Sequence, residues 1–107
     1  MEEQLYLILT TRHKDQLFGG DVHLFWGRNS SGYSAILQRA GLYTKEQIKT
    51  KCDRGDIPIP YTYFGYDKEF FAQDIPYVKF PVLCSKSEEI KNMIADWQYE
   101  YRNGLNK

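Results

Sequence analysis

The two histidines of this sequence are the side chains best suited to acid–base chemistry. His13 and His23 fall near the ends of the first two predicted strands, so a hairpin could bring them together. A pair of imidazoles can cleave RNA, with one ring as general base and the other as general acid. No serine or cysteine nucleophile stands in a recognised setting, and the strand register is open. We therefore favour surface or turn histidines, and nuclease activity ranks third among the functional hypotheses.

A glycine-bracketed loop, GRNSSG, is the second candidate for chemistry. It runs from Gly27 to Gly32, directly after Trp26 and before Tyr33. It matches neither GxxxxGK[ST] nor GxGxxG. Amides exposed by such a loop can nevertheless hold an anion beside Arg28, and a neighbouring aromatic ring can stack on a nucleobase. Three interpretations remain open: a structural turn, a site for a nucleotide-like ligand, and a protein-contact surface.

The two cysteines predict neither a metal site nor a disulfide. Cys52 and Cys84 are far apart, and the sequence has no CxxC pair or Cys/His cluster, so we expect no zinc, no other metal and no cofactor. The chain begins MEEQ, without a charged and then apolar leader, and no apolar run approaches the ~20 residues that span a bilayer. We therefore expect reduced thiols, the host bacterial cytoplasm as location and no membrane partner.

Strands early in the chain must position the loop. Residues 5–11 (LYLILTT) form an unbroken run of β-formers, which predicts a central strand buried on both faces. Residues 22–26 predict a second strand that returns as an antiparallel hairpin. Residues 33–35 favour a short third strand. Residues 57–81 contain the four prolines and are predicted to be irregular, with short extended pieces near 61–64 and 77–80.

Two helices follow the strands. Thr44 and Gln47 fit a capping box, which predicts a short helix over residues 45–51, buried through Ile48 and Cys52.

The second predicted helix is longer and lies near the end of the sequence. Ser85 and Glu88 fit its capping box, and Gly104 is its predicted stop. Its apolar side chains recur at helical spacing: Ile90, Met93, Ile94, Trp97 and Tyr101. We expect this amphipathic helix to pack on the sheet. The predicted fold class is therefore α+β: a small antiparallel sheet with an N-terminal hairpin, a short middle helix and a C-terminal amphipathic helix.

Length and charge limit the classes of partner. A chain of 107 residues predicts a single domain over residues 1–107. Its 14 lysines and arginines balance its 14 acidic residues, so it lacks the basic surface by which proteins displace counterions from nucleic acid. We therefore expect no nucleic-acid partner.

One stretch of the sequence resembles a pattern found in small uncharacterised proteins of bacteriophages and prophages. FWGRNSSGYS followed by RAGLYT is similar to their W-x-x-N…GY…AG-x-Y pattern, within residues 5–46. The matching residues are Trp26, Asn29, Gly32, Tyr33, Ala40, Gly41 and Tyr43. The resemblance implies a small accessory protein made in an infected bacterium. Such proteins often work by binding, as inhibitors of host enzymes or of bacterial defence components.

The leading hypothesis is a non-enzymatic protein of the phage accessory type that binds and inhibits a host macromolecule, in particular a host protein. We expect two aromatic contact patches, the first formed by Trp26, Arg28, Asn29, Tyr33 and Tyr43, the second by Tyr61, Tyr63 and Phe64. Exposed aromatic residues and a strand edge would also favour a homo-oligomer. This hypothesis needs the Trp26 ring to face solvent, and it predicts that Trp26→Ala with Arg28→Ala leaves the fold intact.

The alternative hypothesis is a small-molecule binder that sequesters a nucleotide signal. It requires a closed pocket that contains Arg28 and an aromatic face.

Overall fold

A four-stranded antiparallel sheet forms the centre of the protein. The computed structural model describes residues 4–13, 19–73 and 75–102, and of residues 101–102 the backbone alone. The strands are β1 (Tyr6–Thr10), β2 (Leu24–Trp26), β3 (Tyr33–Ser34) and β4 (Asp56–Pro60). Their order in the sheet is β3-β2-β1-β4. The central position of β1 and its antiparallel pairing with β2 confirm both predictions for this part of the chain.

The first strand separates two apolar clusters. Successive side chains of a strand point to opposite faces of the sheet. Leu7 and Leu9 therefore lie in one cluster with residues of β2 and β4, whereas Ile8 lies in the other against Tyr43 and Ile48. Leu7, Ile8 and Leu9 have no exposed surface. Burial on both faces explains why the sequence of β1 is continuously apolar rather than alternating.

The prediction of irregular structure for residues 57–81 was wrong for their first part. Residues 56–60 form β4, which pairs with β1 from Tyr6↔Pro60 to Thr10↔Asp56. Pro58 and Pro60 fit this strand because it lies at the edge of the sheet. Every second backbone nitrogen of an edge strand points away from its neighbour, and both proline nitrogens occupy such outward positions. The next inward nitrogen belongs to Tyr61, which donates to the Leu5 carbonyl at 3.2 Å. Residues 61–64 then form a 3₁₀ turn rather than an extended piece.

The short middle helix matches its predicted bounds. Helix α1 covers Lys45–Lys51, and both hydrogen bonds of the capping box are present. The Thr44 hydroxyl accepts from the Gln47 backbone N–H at 3.2 Å, and the Gln47 side chain accepts from the Thr44 N–H at 2.8 Å. Ile48 and Cys52 are buried, as their positions in the sequence predict.

The C-terminal helix α2 covers Glu88–Arg102 and begins differently from the prediction. The side chain of Ser87, not of Ser85, accepts from the Ile90 N–H at 3.2 Å. Ile90 is buried in the larger cluster, and Met93, Ile94 and Trp97 pack against that cluster. The Tyr101 side chain and Gly104 lie outside the described residues. The fold is therefore α+β, with α2 packed on the sheet, and neither α1 nor the described α2 has the length and apolar content to cross a membrane.

Candidate functional site

The loop at residues 27–32 is closed by its own backbone and supported from below. Gly27 donates to the Gly32 carbonyl at 2.8 Å, and Gly41 donates to the Trp26 carbonyl at 2.9 Å. A Cβ atom at Gly41 would lie 2.7 Å from the Gly27 carbonyl oxygen. A side chain at this position would therefore push the loop away from residues 40–41.

Tyr43 holds the loop from the interior. It is only 2% exposed, and its hydroxyl donates to the Gly27 carbonyl oxygen. The same hydroxyl accepts from the Ser30 N–H at 3.0 Å. The sequence placed Tyr43 among the contact residues, but the structure places it beneath the loop, where a partner would not reach it.

Trp26 anchors the loop to the sheet. Its ring is half-buried, and its Nε1–H donates to Oδ1 of Asp56 at 3.3 Å. The ring also packs edge-to-face against Tyr43, at 6.1 Å between centroids, and against Tyr33, at 6.5 Å. These contacts correspond to the anchor of a turn rather than to the solvent-facing ring that the leading hypothesis requires.

Asp56 is a buried carboxylate that joins β1, β2 and β4. It has no exposed surface, and its Oδ2 lies 2.7 Å from Nη2 of Arg12. Burial raises the pKa of Asp56, and Arg12 offsets this effect only in part. The Arg12 side chain is 49% exposed, so solvent screens its attraction. Asp56 binds both Arg12 and Trp26. Because Trp26 is the last residue of β2, these contacts hold the residue from which the loop begins.

A cavity of about 270 Å³ lies between the loop and residues 72–73 and is open to solvent, whereas the sequence-based nucleotide hypothesis requires a closed pocket. Its polar and aromatic lining consists of two cations, two hydroxyls, one amide and one ring: Arg28, Arg39, Ser31, Ser34, Gln73 and Tyr33. Gly27 and Ala72 complete the lining, and no described residue that lines the cavity is acidic. Arg39 is oriented by a 2.8 Å hydrogen bond from its Nη2 to the Ile75 carbonyl. The lining therefore has the donors and the charge that an anion requires.

The backbone around this cavity is strained. Within the described residues, the non-glycine positions with positive φ are Asn29 at 55°, Ser30 at 61° and Ala72 at 59°. Two of them lie in the loop, and Ala72 lines the cavity. Left-handed conformations of residues other than glycine cost roughly 1–3 kcal/mol and cluster at binding sites. Strained backbone therefore occurs both in the loop and in the facing segment at residue 72.

Three of the eight described residues that line the cavity, Arg39, Ala72 and Gln73, lie outside the segment that the sequence marks. Ala72 donates to the Ala40 carbonyl at 2.9 Å, and Gln73 donates to the Gln38 carbonyl at 2.8 Å. These bonds bring residues 72–73 beside Arg39. Neither a motif nor a periodicity indicates a pairing between segments so far apart in the chain.

The predicted contact residues do not form one surface. Arg28, Asn29 and Tyr33 are exposed beside the cavity.

The second predicted patch lies elsewhere. Tyr61 and Phe64 are half-buried against the larger cluster, on the sheet face opposite Trp26, whereas Tyr63 is 36% exposed. Phe64 packs edge-to-face on Phe25. The two patches are therefore separated by the sheet.

The histidines line a second cavity, of about 190 Å³. His13 and His23 lie there with Lys86, so the hairpin does bring them to one place. Burial, with a smaller effect of Lys86, lowers the pKa of His23. The His13 ring stacks on Tyr33, with 4.3 Å between centroids. Within the described part of the chain, no group of three or more His, Cys, Asp or Glu residues is placed to hold a metal ion.

Comparison with known proteins returns no match to a family model, to a curated protein or to a solved structure. The likeness to small phage and prophage proteins therefore rests on the residues that carry it. The geometry gives several of them a physical role around the loop. Asn29 and Gly32 adopt left-handed backbone at φ 55° and 82°, Gly41 lets the loop approach closely, and Tyr43 bonds it from below.

Proposed function

We propose that this protein is a non-enzymatic binder of a small phosphate-bearing molecule of the nucleotide type, held in the cavity between the loop and residues 72–73. The observation that carries the proposal is the lining. Arg28 and Arg39 enter one cavity whose described residues include no carboxylate. Two arginines in one cavity favour a dianionic group because each guanidinium offers a fork of N–H donors.

The remaining lining suits the rest of a nucleotide. The Ser31 and Ser34 hydroxyls already donate to the Arg28 and Ile36 carbonyls, so their oxygens can accept from ribose hydroxyls. Gln73 donates one amide hydrogen to the Phe70 carbonyl and keeps a second for a phosphate oxygen. Tyr33 supplies an aromatic ring that is 44% exposed and can stack on a base. The cavity volume lies slightly below the ~300–1,000 Å³ of typical small-molecule sites, which favours a ligand no larger than one nucleotide within it.

The experiment is isothermal titration of AMP and of adenosine against the wild type and two arginine variants. Arg28→Gln removes a cavity cation, and Arg54→Gln removes an exposed arginine from the turn before β4, which lines a different cavity. We expect Arg28→Gln to weaken AMP binding by about tenfold, the effect of one hydrogen bond to a charged group. Arg54→Gln should bind AMP as the wild type does, and adenosine should bind far more weakly than AMP.

Equal affinity for AMP and adenosine would contradict the proposal, as would equal losses in the two variants. Saturating ligand should also raise stability, by ~2.7 kcal/mol at 100 times Kd. A melting temperature unmoved by high AMP concentrations would be a second contradiction.

A second candidate is inhibition of a host macromolecule by an accessory protein of the phage type. Large exposed aromatic residues favour it: Tyr77 is 74% exposed and Phe80 is 75% exposed. Aromatic side chains contribute strongly to protein–protein binding energies. This surface differs from the two patches that the sequence predicts.

A pull-down from bacterial lysate compares the wild type, Tyr77→Ser/Phe80→Ser and Arg28→Gln. The second candidate predicts a partner lost only in the Tyr77/Phe80 variant. Recovery of the same proteins by all three chains would contradict it.

A further inference from the structure

The second cavity repeats the chemistry of the first. His13, His23 and Lys86 line it together with Thr10 and Thr11, and no described residue of this lining is acidic. It therefore offers an ammonium group and two imidazoles, whereas the Thr11 hydroxyl already donates to the Gly55 carbonyl at 3.0 Å. The third cavity, along α2, shares His23 and Lys86 with the second and adds Glu88 and Lys91.

The first two cavities meet at one aromatic pair. Tyr33 lines the first cavity, His13 lines the second, and their rings lie 4.3 Å apart with an angle of 34° between their planes. A flat group held on this pair would have a cationic cavity on either side. The Tyr33 ring is supported in turn by Trp26, so the pair has a fixed place on the sheet.

We propose that the preferred ligand is a dinucleotide in which two phosphates lie on either side of one nucleoside, with one phosphate in each cavity. This inference rests on the proposed function. The first phosphate lies with Arg28 and Arg39, and the second lies with Lys86 and the two histidines. Burial keeps His23 neutral more readily than an exposed histidine, so Lys86 supplies the charge of the second cavity, and His23 supplies a hydrogen bond.

The test measures the affinity gain from a second nucleotide. Titrations use AMP, ADP and the linear dinucleotide pApA against the wild type and two lysine variants. Lys86→Gln removes the charge of the second cavity. Lys49→Gln is the matched control because it removes an exposed lysine from α1 that lines neither cavity. The backbone N–H of Lys86 donates to the Asp21 carbonyl, and Lys86→Gln keeps this hydrogen bond because the side chain takes no part in it.

We expect the wild type to bind pApA about tenfold more tightly than AMP, the effect of one further charge-assisted contact. ADP should gain less, because its second phosphate stays in the first cavity. Lys86→Gln should abolish the gain for pApA and leave AMP affinity unchanged, whereas Lys49→Gln should keep both.

The two proposals fail in different ways. AMP binding without a gain for pApA, or a gain that survives Lys86→Gln, overturns the dinucleotide inference and leaves the proposed function standing. An equal gain for ADP and pApA also overturns it. Absence of binding for all three ligands overturns both.

Discussion

The indole N–H of Trp26 donates to Oδ1 of Asp56 at 3.3 Å, while Arg12 binds the other carboxylate oxygen at 2.7 Å. A buried acid at the start of β4 is thus bonded to β2, the strand before the loop, and to Arg12, which follows β1. The ring is half-buried, and its polar group is satisfied inside the protein. Trp26 therefore supports the loop, and Arg28 and Tyr33 are the exposed residues beyond it that would contact the proposed ligand.

Replacing Trp26 should destabilise the protein. Trp26→Ala loses ring contacts with Tyr33 and Tyr43 and removes the donor to Oδ1 of Asp56, so we expect the free energy of unfolding to fall by about 2–4 kcal/mol. Urea denaturation measures this. Tyr77→Ala, at a side chain 74% exposed, is the control and should change stability by less than ~0.5 kcal/mol. An unchanged urea midpoint for Trp26→Ala would contradict this prediction and would mean that Trp26 does not stabilise the fold.

The titration of Asp56 should reduce stability as pH rises. Burial raises its carboxyl pKa above the ordinary 3.8, so the folded protein holds this proton more tightly than the unfolded chain does. Its contribution to the free energy of unfolding is therefore largest below pH 3.8, falls as pH rises through the folded pKa, and is constant above it.

The variant Asp56→Asn isolates this effect because the amide does not titrate. We expect the stability of the wild type, minus that of Asp56→Asn, to decrease as pH rises across that interval. Urea denaturation at a series of pH values gives the difference. An increase over the same interval would mean that the attraction of Arg12 exceeds the effect of burial.

Removing the Tyr43 hydroxyl should loosen the loop without emptying the core. Tyr43→Phe keeps the ring but loses the bonds to Gly27 and Ser30, so stability should fall by about 1 kcal/mol. AMP affinity should fall as well, because Gly27 lines the cavity. The matched variant Tyr99→Phe, at a side chain 66% exposed, should keep AMP affinity. Normal AMP binding by Tyr43→Phe would show that the loop does not need this support.

The two cysteines should be inert in the folded protein. Burial raises the pKa of Cys52 to about 12 and that of Cys84 to about 11, so both remain protonated at neutral pH. They lie in different clusters, on opposite faces of the sheet, and are free. Titration with a thiol reagent at pH 8 should therefore label neither until urea unfolds the chain. Rapid labelling of either cysteine in the native protein would contradict this.

The parts of the fold that depend on local signals could be predicted from the sequence. The apolar run of β1 predicted a central strand, and the Thr44 capping box predicted a helix. Both signals are carried by residues that are close together in the sequence. Strand β4 was missed because Pro58 and Pro60 argue against a strand unless their outward register is known.

The candidate site is less accessible to such reasoning. Arg28 and Tyr33 stand in a recognisable loop, but Arg39 and Gln73 join them only through pairing between distant segments. Trp26 was ambiguous because an indole suits a binding face and a core edge equally well. The buried carboxylate that decides its role begins β4, which the local pattern did not reveal.

The most direct test of the central claim is a titration of the ¹⁵N-labelled protein with AMP, followed by amide chemical shifts. Binding in the cavity predicts saturable shifts at Gly27, Arg28, Ser31 and Gln73, with unchanged shifts at Lys49 in α1. Saturable shifts confined to other parts of the chain, or none at high AMP concentration, would contradict the account.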